Sequence, residues 1–277
     1  MDEVDRAVVQ NCYSTRPVES RKHNFGYVAV VGGSKLYVSA PVLVGLSALR
    51  AGADISYLIV PRKSFWAAIN YPDLVPINLG TEYVSTVTED AWLTLERSDA
   101  LVTGNGMTRG EEVKRTLNEI LGEYRKPVVL DADALHFLDE LEMSSEDVII
   151  TPHINEFRAI TQESPKTLEE KIKHCQELSQ ETGFTVLLKG STDVIACGDK
   201  LALNKTGNPY MTKGGTGDML AGICGALMAR GIDSFKAAGC AAYVSGLAGE
   251  MASKNQGEGL LATDVIRTIP RAIKASI

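Results

Sequence analysis

The stretch Thr212–Leu220, TKGGTGDML, sets three glycines around one acid directly ahead of an apolar run. Glycines carry no Cβ, so their backbone N–H groups can approach an anion closely. A helix start adds unpaired donors and the positive end of a dipole. Gly214, Gly215, Thr216 and Gly217 thus form a candidate phosphate cradle. Asp218, in the first helical turn, is placed to take a proton from a hydroxyl attacking that phosphate. The competing role is plain capping, with Thr216 or Asp218 starting a helix. The dipole would hold an aspartate pKa down at this position and weaken the base, while a neighbouring polyphosphate would raise it.

Four other groups carry weaker signals. In TPHINE (Thr151–Glu156), His153 can donate to a ligand and Glu156 can hold Mg²⁺ through water; the alternative is a helix start capped by Thr151 or Asn155. In LLKGSTDVIA, Lys189 can neutralise phosphate charge and Ser191 and Thr192 offer hydroxyls; the alternative is a hairpin turn. In VVLDADAL, strand alternation puts Asp131 and Asp133 on one side, as metal ligands or as caps of the next helix. GGSKLYVSAP (Gly32–Pro41) reads as strand-to-helix punctuation, with Pro41 at the helix start. No Walker loop is present, and GNGMTRG does not supply GxGxxG, so the dinucleotide fingerprint is missing.

These groups need elements to position them. YVAVVGG, ISYLIVP, ALVTGNG, PVVLDAD and VIITPH are apolar runs that end in polar or turn residues. Amphipathic, helix-forming segments such as Glu111–Tyr124 and Leu168–Thr182 lie between them. The alternation predicts βαβ units and a mostly parallel sheet with helices on both faces. TVLLKG, DVIACG and LALNK follow one another closely, which predicts antiparallel strands and a mixed sheet. Helices are predicted over Asp218–Arg230, Ser234–Ala252 and Thr263–Ala275. The small residues of Ala237–Gly249 fit close helix packing within or between subunits. Ligands of such folds collect at the C-terminal strand ends. Gly32–Ser34, Gly104–Gly106, Asp131–Asp133, His153 and Lys189–Asp193 are therefore expected to converge.

The 277 residues suit one α/β domain, and no linker or repeat divides them. The net charge of −7 shows no basic excess, which argues against nucleic-acid and anionic-membrane surfaces. Five scattered cysteines, without CxxC or zinc spacing, indicate free thiols in a reducing, cytoplasmic setting. The acidic N-terminus does not read as a signal peptide, and no apolar run spans a bilayer.

Together the motifs resemble the ADP/ATP-dependent NAD(P)H-hydrate dehydratases of the ribokinase-like superfamily. The resemblance rests on FGYVAVVGGS, ALRAGA, VVLDADAL, ITPHINEF, LLKGSTDVIA, NKTGNPYMTKGGTGDMLAGI, AAYVSGLAGE and GLLATDVIRTIP, in family order from about Arg21 to Ile269. It implies a three-layer αβα sandwich and removal of water from the S-epimer of hydrated NADH or NADPH, at the expense of ADP or ATP with Mg²⁺. The terminal phosphoryl group would pass to the ring hydroxyl and leave as phosphate. Asp218 would activate that hydroxyl. Ala40, Gly106, His153 and Asp218 carry over as substrate contacts. Lys189, Gly190, Ser191, Thr192, Asp193 and Gly217 carry over as the nucleotide segment, and Glu156 as a Mg²⁺ candidate. The resemblance also implies a homo-oligomer, often a tetramer. The first twenty residues are too few for the epimerase domain of many relatives, so dehydration alone is expected. The chain departs from the family at GNGMT (Gly104–Thr108), where GPGLG is common, and at Tyr210 and Lys213 within GNPYMTKGG. A small-molecule kinase of the same superfamily is the alternative, and a nucleotide sensor without chemistry is a third possibility that Asp218 argues against.

Overall fold

The computed structural model describes residues 2–277. Its strands are β1 (Asp2–Glu3), β2 (Tyr27–Val31), β3 (Ile55–Val60), β4 (Val75–Asn78), β5 (Ala100–Thr103), β6 (Val128–Leu130), β7 (Val148–Ile150), β8 (Thr185–Leu188), β9 (Asp193–Cys197) and β10 (Lys200–Asn204). All join one sheet in the order β1-β10-β9-β8-β7-β6-β5-β2-β3-β4. Strand β9 pairs antiparallel with both β8 and β10, and every other pairing is parallel. The mixed, mostly parallel sheet expected from the closely spaced runs is therefore present, with β9 alone reversed.

Alternation along the strands separates two cores. Val28 and Val30 face one apolar cluster, with helices Ala40–Arg50, Thr216–Ala229, Ser234–Gln256 and Ala262–Ser276 packed on it. Ala29 and Val31 face the other, covered by helices Glu89–Arg97, Glu111–Glu123 and Leu168–Thr182. Both faces are dry, which is why these strands read as unbroken apolar runs.

From β2 the chain winds outward through β3 and β4; from β5 it winds the other way through β6, β7 and β8. The reversal leaves a crevice beyond the C-terminal ends of β2 and β5. There the Gly33 amide donates to the Asn105 carbonyl at 2.8 Å.

Helix Thr216–Ala229 is buried on every side from Met219 to Ala229. A side chain at Gly222 would overlap the Val44 carbonyl and the Ser47 hydroxyl, so the glycine lets this helix lie directly against Ala40–Arg50. The small residues of Ala237–Gly249 pack within the chain: Ala237, Ala238, Ala241, Ala242, Gly246 and Gly249 are all buried. No helix of the described residues is long and apolar enough to cross a membrane.

Candidate active site

The N-terminus of helix Thr216–Ala229 differs from a capped start. Its N-cap is Gly215, at φ +92° in the left-handed region, and no side chain caps it. A Cβ there would be strained whatever the space. The Thr216 hydroxyl donates instead to the Met211 and Lys213 carbonyls, at 3.0 and 2.9 Å, and ties down the glycine turn. Neither Thr216 nor Asp218 caps the helix, which removes the capping role from both. The amides of Gly217 and Asp218 donate to no group of the described chain. Unpaired first-turn donors beside glycines are what an oxyanion needs.

The acid of that turn sits in a network built from four strand ends. Asn105, after β5, is fully buried. Its Nδ2 donates to Asp218 Oδ1 at 2.7 Å and to Asp131 Oδ2 at 2.9 Å. Asp131, after β6, accepts from Lys189 Nζ at 2.9 Å and from the Thr151 hydroxyl at 2.8 Å, both on Oδ1. Lys189, after β8, also lies 3.9 Å from Glu156 Oε2. A Cβ on Gly217 would stand 3.3 Å from Lys189 Nζ, so the glycine lets the lysine reach the helix start.

Burial would raise the Asp131 carboxyl, but the Lys189 charge and the donors around it outweigh burial and hold it below its ordinary value. Lys189 is held up in turn: burial opposes its charge, and Asp131 and Glu156 more than offset that. Asp218 behaves oppositely. Burial first, then the Asp131 charge, push it from 3.8 up to about 6, against the Asn105 donor and Lys189. The depressed base expected from the helix dipole is not found, because desolvation outweighs a dipole worth about 0.3–1 kcal/mol. A carboxyl raised in this way can accept a proton near neutrality.

Beside this network lies a cleft of about 830 Å³. Lys189, Gly190, Ser191 and Asp193 line one wall, Gly214, Thr216 and Gly217 the floor, and His153 the rim. The far wall comes from Thr206–Pro209, Met211 and the helix face at Ala242, Ser245 and Gly246. Thr192 and Gly215 belong to the same turns but do not line it. The β8–β9 connection is a hairpin turn, held by the Gly190 amide donating to Asp193 Oδ1 at 2.9 Å and by Asn204 Nδ2 donating to Oδ2 at 2.9 Å. Burial pushes the Asp193 carboxyl up, against those donors.

Ala40 and Gly106 lie together on the other side of Asn105. A Cβ on Gly106 would stand 3.1 Å from the Ala40 Cβ. Asp218 itself does not line the cleft; its neighbours Gly217 and Lys189 do, and Asn105 joins it to the Gly106–Ala40 corner.

Three expectations need correction. Asp131 and Asp133 do not share a strand face, because β6 stops at Leu130 and Ala132 turns left-handed at φ +51°. Asp133 accepts from the Thr108 amide at 2.9 Å and from Arg109, and its carboxylate closes that loop. Asp131 accepts from Lys189, Thr151 and Asn105, so both carboxylates are engaged by donors of the chain itself. At the start of helix Ile154–Thr161, His153 itself is the cap, replacing Thr151 and Asn155. Its Nδ1 accepts from the Asn155 and Glu156 amides at 3.1 and 3.2 Å, while Glu156 Oε2 accepts from the His153 amide at 2.8 Å. With Nδ1 accepting, the ring proton belongs on Nε2, where a ligand can meet it.

The motifs place Gly104–Gly106 at the site and NKTGNPYM in the family pattern, but they assign no role to the Asn105 side chain or to the Thr206–Met211 wall. That wall, formed by Thr206, Gly207, Asn208, Pro209 and Met211, presents no charged side chain. Asn105 did carry a signal, as a buried-strand terminus flanked by two glycines. Its Oδ1 is buried without a partner, which costs about 1–3 kcal/mol. Lys213 also becomes intelligible: its Nζ donates to the Glu258 carbonyl at 3.0 Å, pinning the glycine turn to the neighbouring segment. Tyr210 does not line the cleft, and nothing in the structure explains it.

The chain matches the family model for NAD(P)H-hydrate dehydratase over residues 28–271. It is 35% identical to the ADP-dependent (S)-NAD(P)H-hydrate dehydratase of Cenarchaeum symbiosum, covering 96% of this chain and 94% of that protein. It is 36% identical to the bifunctional NAD(P)H-hydrate repair enzyme of Hyperthermus butylicus, over 96% of this chain but 52% of that enzyme. The chain thus spans about half the length of several curated relatives it matches. Among solved structures, the ADP/ATP-dependent NAD(P)H-hydrate dehydratase of Bacillus subtilis, co-crystallised with ATP/Mg²⁺, superposes with a TM-score of 0.88 at 26% identity over 100% of this chain and 99% of that one. Arabidopsis thaliana ribokinase shares the fold at a TM-score of 0.61 and 11% identity over 90% of this chain and 99% of that one. The sandwich is ribokinase-like, and the chain belongs to the NAD(P)H-hydrate dehydratase family.

Proposed function

We propose that the chain dehydrates the S-epimer of hydrated NADH and NADPH, restoring the reduced dinucleotide at the expense of ADP or ATP. One observation carries the chemistry: Asp218, a base held at about 6, stands at an uncapped helix N-terminus whose amides are free. The relatives' names supply the substrate class.

The nucleotide enters the 830 Å³ cleft, with Lys189, Gly190, Ser191 and Asp193 along its phosphates and ribose and Thr192 behind them in the same turn. Gly214–Gly217 hold the terminal phosphoryl group by backbone donors placed before the reaction begins, so little reorganisation is needed. The hydrated ring lies toward Ala40 and Gly106, and His153 offers Nε2–H at the rim. Asp218 takes the proton of the ring hydroxyl as its oxygen bonds the phosphorus. The bond from that phosphorus to the nucleotide breaks, and the shortened nucleotide departs. Phosphate then leaves the ring carbon with the bonding pair, and a proton is lost from the adjacent ring carbon to the released phosphate or water, which restores the ring double bond.

The residues present fit a nucleotide-borne Mg²⁺. Among the described residues no group of three or more His, Cys, Asp or Glu forms a metal cage. Magnesium commonly keeps several waters and takes one or two carboxylates plus substrate phosphates. Glu156 is the carboxylate beside Lys189 that would reach it through water, and the ion would supply charge neutralisation. A homo-oligomer, a tetramer by family resemblance, in a reducing cytoplasm belongs to the same reading.

The deciding experiment mixes the protein with hydrated NADH, Mg²⁺ and ADP or ATP and follows NADH absorbance. Recovery with either nucleotide is expected. No recovery with either, or a product that keeps its phosphate, would point to a kinase and sink the dehydratase.

A further inference from the structure

Asp218 is held at one oxygen by a group that the reaction does not consume. Asn105 is fully buried, and its amide nitrogen bridges two carboxylates, Asp218 Oδ1 at 2.7 Å and Asp131 Oδ2 at 2.9 Å. Only the NH₂ end of an amide can sit between two anions, because the carbonyl end has no proton to offer either. The orientation is therefore fixed, and it leaves Oδ1 of Asn105 buried without a partner. Flanking backbone enforces the placement. Gly104 and Gly106 both adopt positive φ, +109° and +69°, and a Cβ on Gly104 would overlap the Asp131 carbonyl.

We propose that Asn105 is the positioning residue for Asp218. Its amide occupies Oδ1, which leaves Oδ2 to receive the proton of the attacking hydroxyl. It also ties Asp218 through Asp131 to Lys189, so that the base and the phosphate-neutralising cation are aligned by one chain of hydrogen bonds. The inference rests on the reading of Asp218 as the base and deepens it. The charged groups that face Asp218 are Asp131 after β6, Lys189 after β8 and Glu156 on helix Ile154–Thr161. Two of these carry like charge, and the amide is the neutral donor interposed between the two aspartates. Donors to a carboxylate favour its ionised form. Without them Asp218 would hold its proton to a higher pH and would be free to rotate.

The test compares wild type with Asn105→Ala and Asn105→Ser. Carboxyl-labelled aspartate is followed by NMR in the ligand-free protein between about pH 4 and 9, with the Asp218 signal identified by its loss in Asp218→Asn. The expected result is a rise of about threefold or more in Asp218 proton affinity in Asn105→Ala. Serine, able to reach one carboxylate at most, should give a smaller rise. The acid limb of kcat should move to higher pH in parallel, while nucleotide Kd stays within about twofold. An unmoved titration, or a loss of kcat that is uniform across pH, overturns the assignment. So does failure of both variants to fold, since the amide would then be structural. The NMR titration needs no substrate, so wild-type protein that fails to regenerate NADH would sink the dehydratase reading alone.

Discussion

Asp218 puts catalysis and stability in opposition at a single residue. A carboxyl held at about 6 in the fold, against 3.8 ordinarily, binds its proton more tightly folded than unfolded. Stability therefore falls as pH rises from about 4 through 6, and the full cost is present above that window. About two pH units correspond to about 3 kcal/mol. Asp218→Asn should abolish turnover, by about 10²-fold or more, leave nucleotide affinity nearly intact, and raise stability to urea at pH 8 by about 1–3 kcal/mol. A variant with wild-type rate would refute the base assignment. For the wild type, kcat/KM should fall below about pH 6 as Asp218 takes up its proton, and a flat profile down to about pH 5 would contradict this. Lys189 couples the same two properties with like sign. Lys189→Ala should weaken nucleotide binding by about tenfold or more and destabilise the fold by about 3 kcal/mol, since it strands Asp131 as a buried charge. Calorimetric titration and urea melts measure the two, and unchanged affinity would displace Lys189 from the nucleotide site.

The helix Thr216–Ala229 carries Asp218, and its placement depends on contact with Ala40–Arg50. Gly222→Ala would put a methyl group into the Val44 carbonyl and the Ser47 hydroxyl, where backbone cannot yield. We expect a loss of about 1–3 kcal/mol from overpacking, with kcat falling more than KM rises, because the displaced helix takes Asp218 with it. Equal stability in urea would show that the two helices have slack. These elements were legible to different depths. Strands such as Tyr27–Val31 announce themselves, because two dry faces demand unbroken apolar runs. The uncapped helix start was half legible: the glycines marked it, but a threonine in the first turn looks the same whether it caps or, as here, braces a turn. Asp131 and Asp133 were misplaced because a left-handed alanine at position 132 has no signature in composition or period. Asn105 meets Asp218 across 113 positions, a distance over which no local pattern operates.

For the whole molecule, burial of the thiols makes a separate forecast. Cys12, Cys175, Cys224 and Cys240 are buried and Cys197 is partly exposed, all without disulfides. Burial pushes the Cys175 thiol up to about 12, further from its reactive form. A thiol reagent at neutral pH should modify about one cysteine rapidly in the native protein and the remainder only on unfolding, as read by mass spectrometry. Rapid reaction of two or more would mean that the packing around a buried cysteine opens. The Asp131–Lys189 ion pair at the C-terminal strand ends has a consequence for how the chain is made. Asp131 lies in mid-chain, and its cation is 58 positions further on. During synthesis, the strands β2 to β7 emerge from the ribosome before Lys189 does, so a partial sheet would have to enclose a lone carboxylate. Nascent chains released before position 189 should stay open to protease, and resistance should appear only once the helices Thr216–Ala229, Ser234–Gln256 and Ala262–Ser276 that cover one sheet face have also emerged. The ion pair would then act as one checkpoint on completeness, leaving Asp131 uncompensated until Lys189 has arrived.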